Sequence, residues 1–89
     1  MATSFMDFRR LSCFVAVVEQ KSFRAAALKL HISQPPLTRH VQMLEESLGV
    51  QLLIRSAAGV EPTAAGQLFF EEARNLLALA QQAGERVKL

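Results

Sequence analysis

The chain has little with which to cross-link, ligate metal or anchor itself. Among its 89 residues there is one cysteine, and neither tryptophan nor tyrosine. A single thiol excludes an intramolecular disulfide framework and suits a reducing cytoplasm. Cys13 has no histidine or acid partner apparent nearby, so nothing marks it as a reactive thiol. His31 and His40, the two histidines, have no cysteine or carboxylate at zinc-site spacing. No apolar run reaches the length of a membrane span and nothing resembles a cleavable signal, so the cytosol is the expected compartment. The sequence also lacks a nucleophile–base pair, paired carboxylates and a glycine-rich phosphate loop. An enzyme is therefore not expected, and neither a cofactor nor a metal is called for.

What remains is helical material. Hydrophobic residues make up 51% of the chain, which excludes disorder and allows one compact domain with a modest core. Abundant alanine and leucine with only three prolines favour a mainly α fold. The net charge is +2, and residues 1–62 carry all of that excess. So small an imbalance establishes no nucleic-acid partner by itself.

Asp7 can cap a first helix running to Gln20, with Phe8, Leu11, Phe14, Val15 and Val18 on its core stripe. Cys13, Ala16 and Val17 lie off that stripe. They are either small residues on a tolerant surface or a second contact, with another helix or another chain. Ser22 caps a second helix in which Phe23, Ala26, Ala27 and Leu30 share a face, and His31 and Ile32 make the connection onward.

The third helix starts between Ser33 and Pro36 and stops at Gly49. Leu37, Val41, Leu44 and Leu48 form its apolar stripe. At about 100° per residue, Pro35, Thr38, Arg39 and Gln42 fall on the opposite face. Arginine forks onto guanine, glutamine onto adenine, and a threonine methyl meets thymine. The second and third helices thus read as a helix-turn-helix whose second member fits the major groove. With Ser33 as N-cap, Pro35 and Pro36 lack the N–H groups that a capping hydroxyl satisfies. The Ser33 hydroxyl is then free for a phosphate oxygen, unless Gln34 or a shifted start takes the cap. Glu46 shares the face of Arg39, which confines contact to the first turns.

Gln51–Arg55 and Val60–Pro62 flank Ser56-Ala57-Ala58-Gly59, a hairpin signal in the place of a wing. Arg55 at its base is a candidate either for a phosphate or for a surface salt bridge. From Thr63 to Leu89 one long helix is expected. Phe69, Ala73, Leu76, Ala80, Ala83 and Val87 step along it near heptad spacing, a candidate dimer seam. Twenty-seven residues span about 40 Å, too long to fold back wholly on a small core.

Six strings in order resemble the N-terminal domain of LysR-type transcriptional regulators. They are Phe14-Val15-Ala16-Val17-Val18-Glu19, Ser22-Phe23-Arg24-Ala25-Ala26-Ala27, Ser33-Gln34-Pro35-Pro36-Leu37-Thr38-Arg39, Leu44-Glu45-Glu46-Ser47-Leu48-Gly49-Val50, Leu52-Leu53-Ile54-Arg55 and Pro62-Thr63-Ala64-Ala65-Gly66. The Gln-Pro-Pro step looks most like members governing aromatic-compound catabolism. The resemblance implies a winged helix-turn-helix over 1–62, with a three-helix core and a short β-hairpin wing. A dimerising linker helix over 63–89 follows it. Ser33, Gln34, Pro35, Thr38, Arg39 and Gln42 match the positions with which the family reads the groove. Full-length members add an effector-binding domain, absent from this chain, and assemble as tetramers, so constitutive binding is expected here. One departure matters: many members carry an arginine near the wing tip, where this chain has Ala57-Ala58-Gly59.

The expected function is sequence-specific binding of double-stranded DNA by a homodimer on a palindromic operator. Gln34, Pro35, Thr38, Arg39 and Gln42 are the candidates for base readout. Ser33, Arg55, Arg9, Arg10, Arg24 and Lys29 are the candidates for phosphate anchoring. The competing reading is a helix-turn-helix interaction module that never touches DNA.

Overall fold

A computed structural model describes residues 7–88 of the chain. The described elements run α1 (Phe8–Gln20), α2 (Phe23–Leu30), α3 (Gln34–Leu48), β1 (Leu53–Ser56), β2 (Gly59–Pro62) and α4 (Ala64–Arg86). This is a mainly α, winged helix-turn-helix architecture. The expected bounds at residues 1–6 and Leu89 fall outside the described residues.

Local chemistry sets the helix ends. The Asp7 carboxylate accepts from the Arg10 N–H at 2.9 Å, the Ser22 hydroxyl from Ala25 at 3.0 Å, and the Thr63 hydroxyl from Gly66 at 2.9 Å. Lys21, His31 and Gly49 close the first three helices in left-handed conformations, with φ of 57°, 59° and 70°. His31 is thereby a turn residue, and Ile32 packs against the core beside it. Ser33 is the N-cap of α3 but its side chain makes no cap bond, as the missing N–H groups of Pro35 and Pro36 require.

The core is built around α1, which packs against α2, α3, α4 and β2. That position explains why Cys13, Ala16 and Val17 are buried together with Leu11, Phe14, Val15 and Val18. Of the two readings left open for these three residues, the second contact holds, and it is with other elements of the same chain. Phe8, expected on the core stripe, is instead half exposed at the first turn, where it lines an open hollow with Ser12, Leu30 and Ile32. Leu37, Val41 and Leu44 of α3 and Phe23, Ala26 and Ala27 of α2 complete the interior.

The hairpin pairs Leu53 with Pro62, Ile54 with Glu61, Arg55 with Val60 and Ser56 with Gly59, antiparallel. Its turn is shorter than the sequence suggested, because Ser56 and Gly59 join the ladder. The returning strand docks on the end of α1, where the Val60 N–H donates to the Lys21 carbonyl at 3.3 Å. A Cβ at Gly59 would lie 2.9 Å from that carbonyl, and φ there is +125°, so the close approach needs glycine.

The first three turns of α4 belong to the same core. Gly66, Phe70 and Ala73 are buried, Leu77 packs beside them, and the Phe69 ring lies 5.7 Å from Phe14. Ala73 is fully buried within its own chain, which removes it from the seam expected from heptad spacing, while Phe69 is half-buried with its ring beside Phe14. Thr63 thus marks the start of a helix, not the edge of the packed body.

Candidate nucleic-acid interface

Gln34, Pro35, Thr38, Arg39 and Gln42 line one open hollow of about 610 Å³ on the outer side of α3. All five come from the first turns of the helix, and the burial of Leu37, Val41 and Leu44 on the inner side turns them outward. Four of the five are exposed and Thr38 is half-buried. The chemistry gathered there is a planar guanidinium, two carboxamides, a hydroxyl with its methyl, and an apolar ring. Such a set can make bidentate hydrogen bonds to flat, edge-on acceptors and donors.

A second hollow of about 240 Å³ continues from Thr38 and Gln42 towards the wing, between α3 and the root of β1. Arg55 stands at its rim with its guanidinium carbon 4.4 Å from the centre of the Phe23 ring. That stacking holds the charge beside the start of α2 without spending its hydrogen-bond donors. Phe23 as a platform for Arg55 had no signature in the sequence, since the two residues are remote along the chain.

The cations fall into two groups. Arg9, Arg24 and Arg55 are exposed. Lys29 is also exposed, with Nζ 3.5 Å from Glu19 Oε1, a surface pair of little energetic weight that another anion can displace. Arg10 behaves differently. Its side chain is 13% exposed, its Nε lies 3.9 Å from Asp7 Oδ2, and its Nη2 donates to Met43 Sδ at 3.8 Å. Arg10 ties α1 to α3 and drops out of the candidates for phosphate contact.

No acidic residue lines the larger hollow. Glu45 borders the smaller one, where its Oε2 accepts the N–H groups of Leu52 at 2.8 Å and Leu53 at 3.1 Å. Glu46 is exposed further along α3. At the wing tip Ala57 and Ala58 are exposed and carry no group that binds a nucleotide.

On α4 the exposed apolar groups form a stripe roughly a third of a turn from the core-facing one. Leu68, Leu76, Leu79 and Val87 are 67%, 41%, 59% and 83% exposed. Ala83 is exposed with them and Ala80 is half-buried. Of the six expected seam residues only Ala73 is fully covered; Leu76, Ala83 and Val87 are exposed, Phe69 and Ala80 are half-buried, and Leu68 and Leu79 join them. The wheel angle could have found this stripe; the heptad count followed a line between two faces. Near its head an apolar hollow of about 280 Å³ opens among Leu48, Val50, Leu68 and Phe69.

Comparison with known proteins agrees with this geometry. The family described as "Bacterial regulatory helix-turn-helix protein, lysR family" matches residues 8–67. The HTH-type transcriptional regulator TcbR of Pseudomonas sp. (strain P51) is 54% identical over 81 residues, covering 91% of this chain and 28% of that protein. The chain thus spans little more than a quarter of that curated relative. The crystal structure of the CbnR_DBD-DNA complex superimposes with a TM-score of 0.86 at 53% identity, covering 93% of this chain and 95% of that one. The BenM_DBD/catB site 1 DNA complex gives a TM-score of 0.90 at 48% identity, covering 93% of each chain.

Proposed function

Because the chain belongs to the LysR family of bacterial regulatory helix-turn-helix proteins, we propose that it is the DNA-reading part of a transcriptional regulator. One observation carries this reading: the base-reading candidates line a single outward hollow on α3, in a fold shared with the CbnR and BenM DNA complexes. The first turns of α3 enter the major groove. Arg39 forks onto guanine O6 and N7, Gln34 and Gln42 onto adenine N6 and N7, and Thr38 and Pro35 touch thymine methyls.

Phosphate anchoring falls to Ser33, Arg9, Arg24, Lys29 and Arg55. The Ser33 hydroxyl makes no cap bond, and it sits where the positive end of the α3 dipole attracts an anion. Arg55, fixed over Phe23, reaches the backbone flanking the major-groove contact. No catalytic step is involved. Such a protein works in the bacterial cytosol, and among the described residues no helix is long and apolar enough to cross a membrane.

Two copies pair through the exposed stripe of α4, burying Leu68, Leu76, Leu79, Ala83 and Val87. A symmetric dimer calls for an interrupted palindrome whose half-sites are about one helical turn, or a multiple, apart. Selection of bound duplexes from a random pool, followed by a salt series on the winner, tests the reading. A palindromic consensus with affinity falling steeply as salt rises is the expected result. No enriched sequence, or binding indifferent to salt, would overturn it.

A further inference from the structure

We propose that Glu45 is a positioning residue that ties the reading helix to the dimer-forming helix through the backbone of Gln51-Leu52-Leu53, and so fixes the half-site spacing that the dimer accepts. The inference rests on the DNA-binding reading above. From one side, the Glu45 carboxylate of α3 takes the N–H groups of Leu52 and Leu53 at 2.8 and 3.1 Å. From the other side, α4 grips the same residues at its first turn. The Thr63 N–H donates to the Leu52 carbonyl at 2.9 Å, and the Thr63 hydroxyl donates to the Gln51 carbonyl at 2.7 Å while capping Gly66.

The packing leaves no slack. A Cβ at Gly66 would collide with the Leu52 carbonyl, and the Leu52 side chain is fully buried. Gln51 adds a staple, its Nε2 donating to the Leu53 carbonyl at 2.9 Å. Residues Gln51, Leu52 and Leu53 are thus held between the last turns of α3 and the start of α4. The angle between those helices sets where a second copy carries its own α3. An ionised acceptor with two backbone donors is a strong tie, about twice a neutral hydrogen bond. Glu45 also holds the root of β1, which carries Arg55 towards the DNA backbone.

The test uses the 89-residue chain on its selected palindromic duplex and on versions with the half-sites moved one or two base pairs closer or further apart. Wild type is expected to prefer the selected spacing. Glu45→Ala should flatten that preference about tenfold, whereas Glu45→Gln, which keeps an acceptor oxygen, should retain most of it. Thr63→Val should flatten it as Glu45→Ala does, and Thr63→Ser should restore it. The double variant Glu45→Ala/Thr63→Val should be no flatter than either single, because both act through one strap. If Glu45→Ala fails to fold, judged by its helical circular dichroism, the Thr63→Val and Thr63→Ser pair decides. A spacing profile unchanged in the folded variants, or additive losses in the double, would overturn the proposal. Failure of wild type to bind any duplex would instead strike the DNA-binding reading.

Discussion

Alanine at Arg39 removes the guanidinium from the outward hollow of α3, and alanine at Arg55 removes the one stacked on Phe23. The two losses are expected to differ in kind. The Arg39 variant should lose roughly 1–3 kcal/mol on the selected duplex and relax one base preference, with little change on random DNA. The Arg55 variant should weaken all sequences alike and lower the salt slope by about one phosphate contact. Competition binding at two salt concentrations separates these outcomes. The bare wing tip leads to a third expectation. Ala58→Arg should raise affinity at sites flanked by A·T tracts, whose narrow minor grooves attract arginine, and leave G·C-flanked sites nearly unchanged. Cys13 is different again, since burial pushes its thiol above the ordinary range despite the charge of Arg9. A raised folded value means that the stability linked to Cys13 is fully present below the ordinary thiol value and is lost as pH rises past it and through the folded value. The melting temperature of wild type should therefore fall more steeply than that of Cys13→Ala above a pH of about 9.

At the scale of elements, α4 does two jobs with two faces. Phe70→Ala empties a packed site in the core and should cost about 3–5 kcal/mol, a large part of the stability of so small a domain. Leu79→Lys, on the exposed stripe, should leave the melting curve of a dilute sample nearly unchanged and convert the dimer to monomer in sedimentation. Equal effects of the two variants on folding would contradict the division. Helix ends were legible in the sequence because capping is short-range chemistry: Asp7, Ser22, Thr63 and Gly49 each act within four residues. The base-reading candidates were legible too, because helical period alone sorts Leu37, Val41 and Leu44 from Thr38, Arg39 and Gln42. What covers a face is a long-range matter, and there the pattern fell short. Phe8 looked like core and is half exposed, Ala73 looked like seam and is buried in the core, and Arg10 looked free for phosphate and is turned to Asp7 and Met43.

For the whole molecule, α1 is the hub on which the reading helix, the wing and the pairing helix are all mounted. The 47 × 29 × 22 Å envelope of the described chain follows from α4 running past that hub, which leaves its far half largely exposed. Glu45, Thr63 and the close approach at Gly66 hold the segment that joins α3 to the wing and α4. If the outward side of residues 33–42 enters the duplex, titrating an isotope-labelled chain with its selected duplex and following the backbone amide spectra will show it. The largest shifts are expected from Gln34 to Gln42 and around Arg55, with the buried positions of α1 nearly still. Shifts concentrated on another face, with residues 33–42 unmoved, would contradict it.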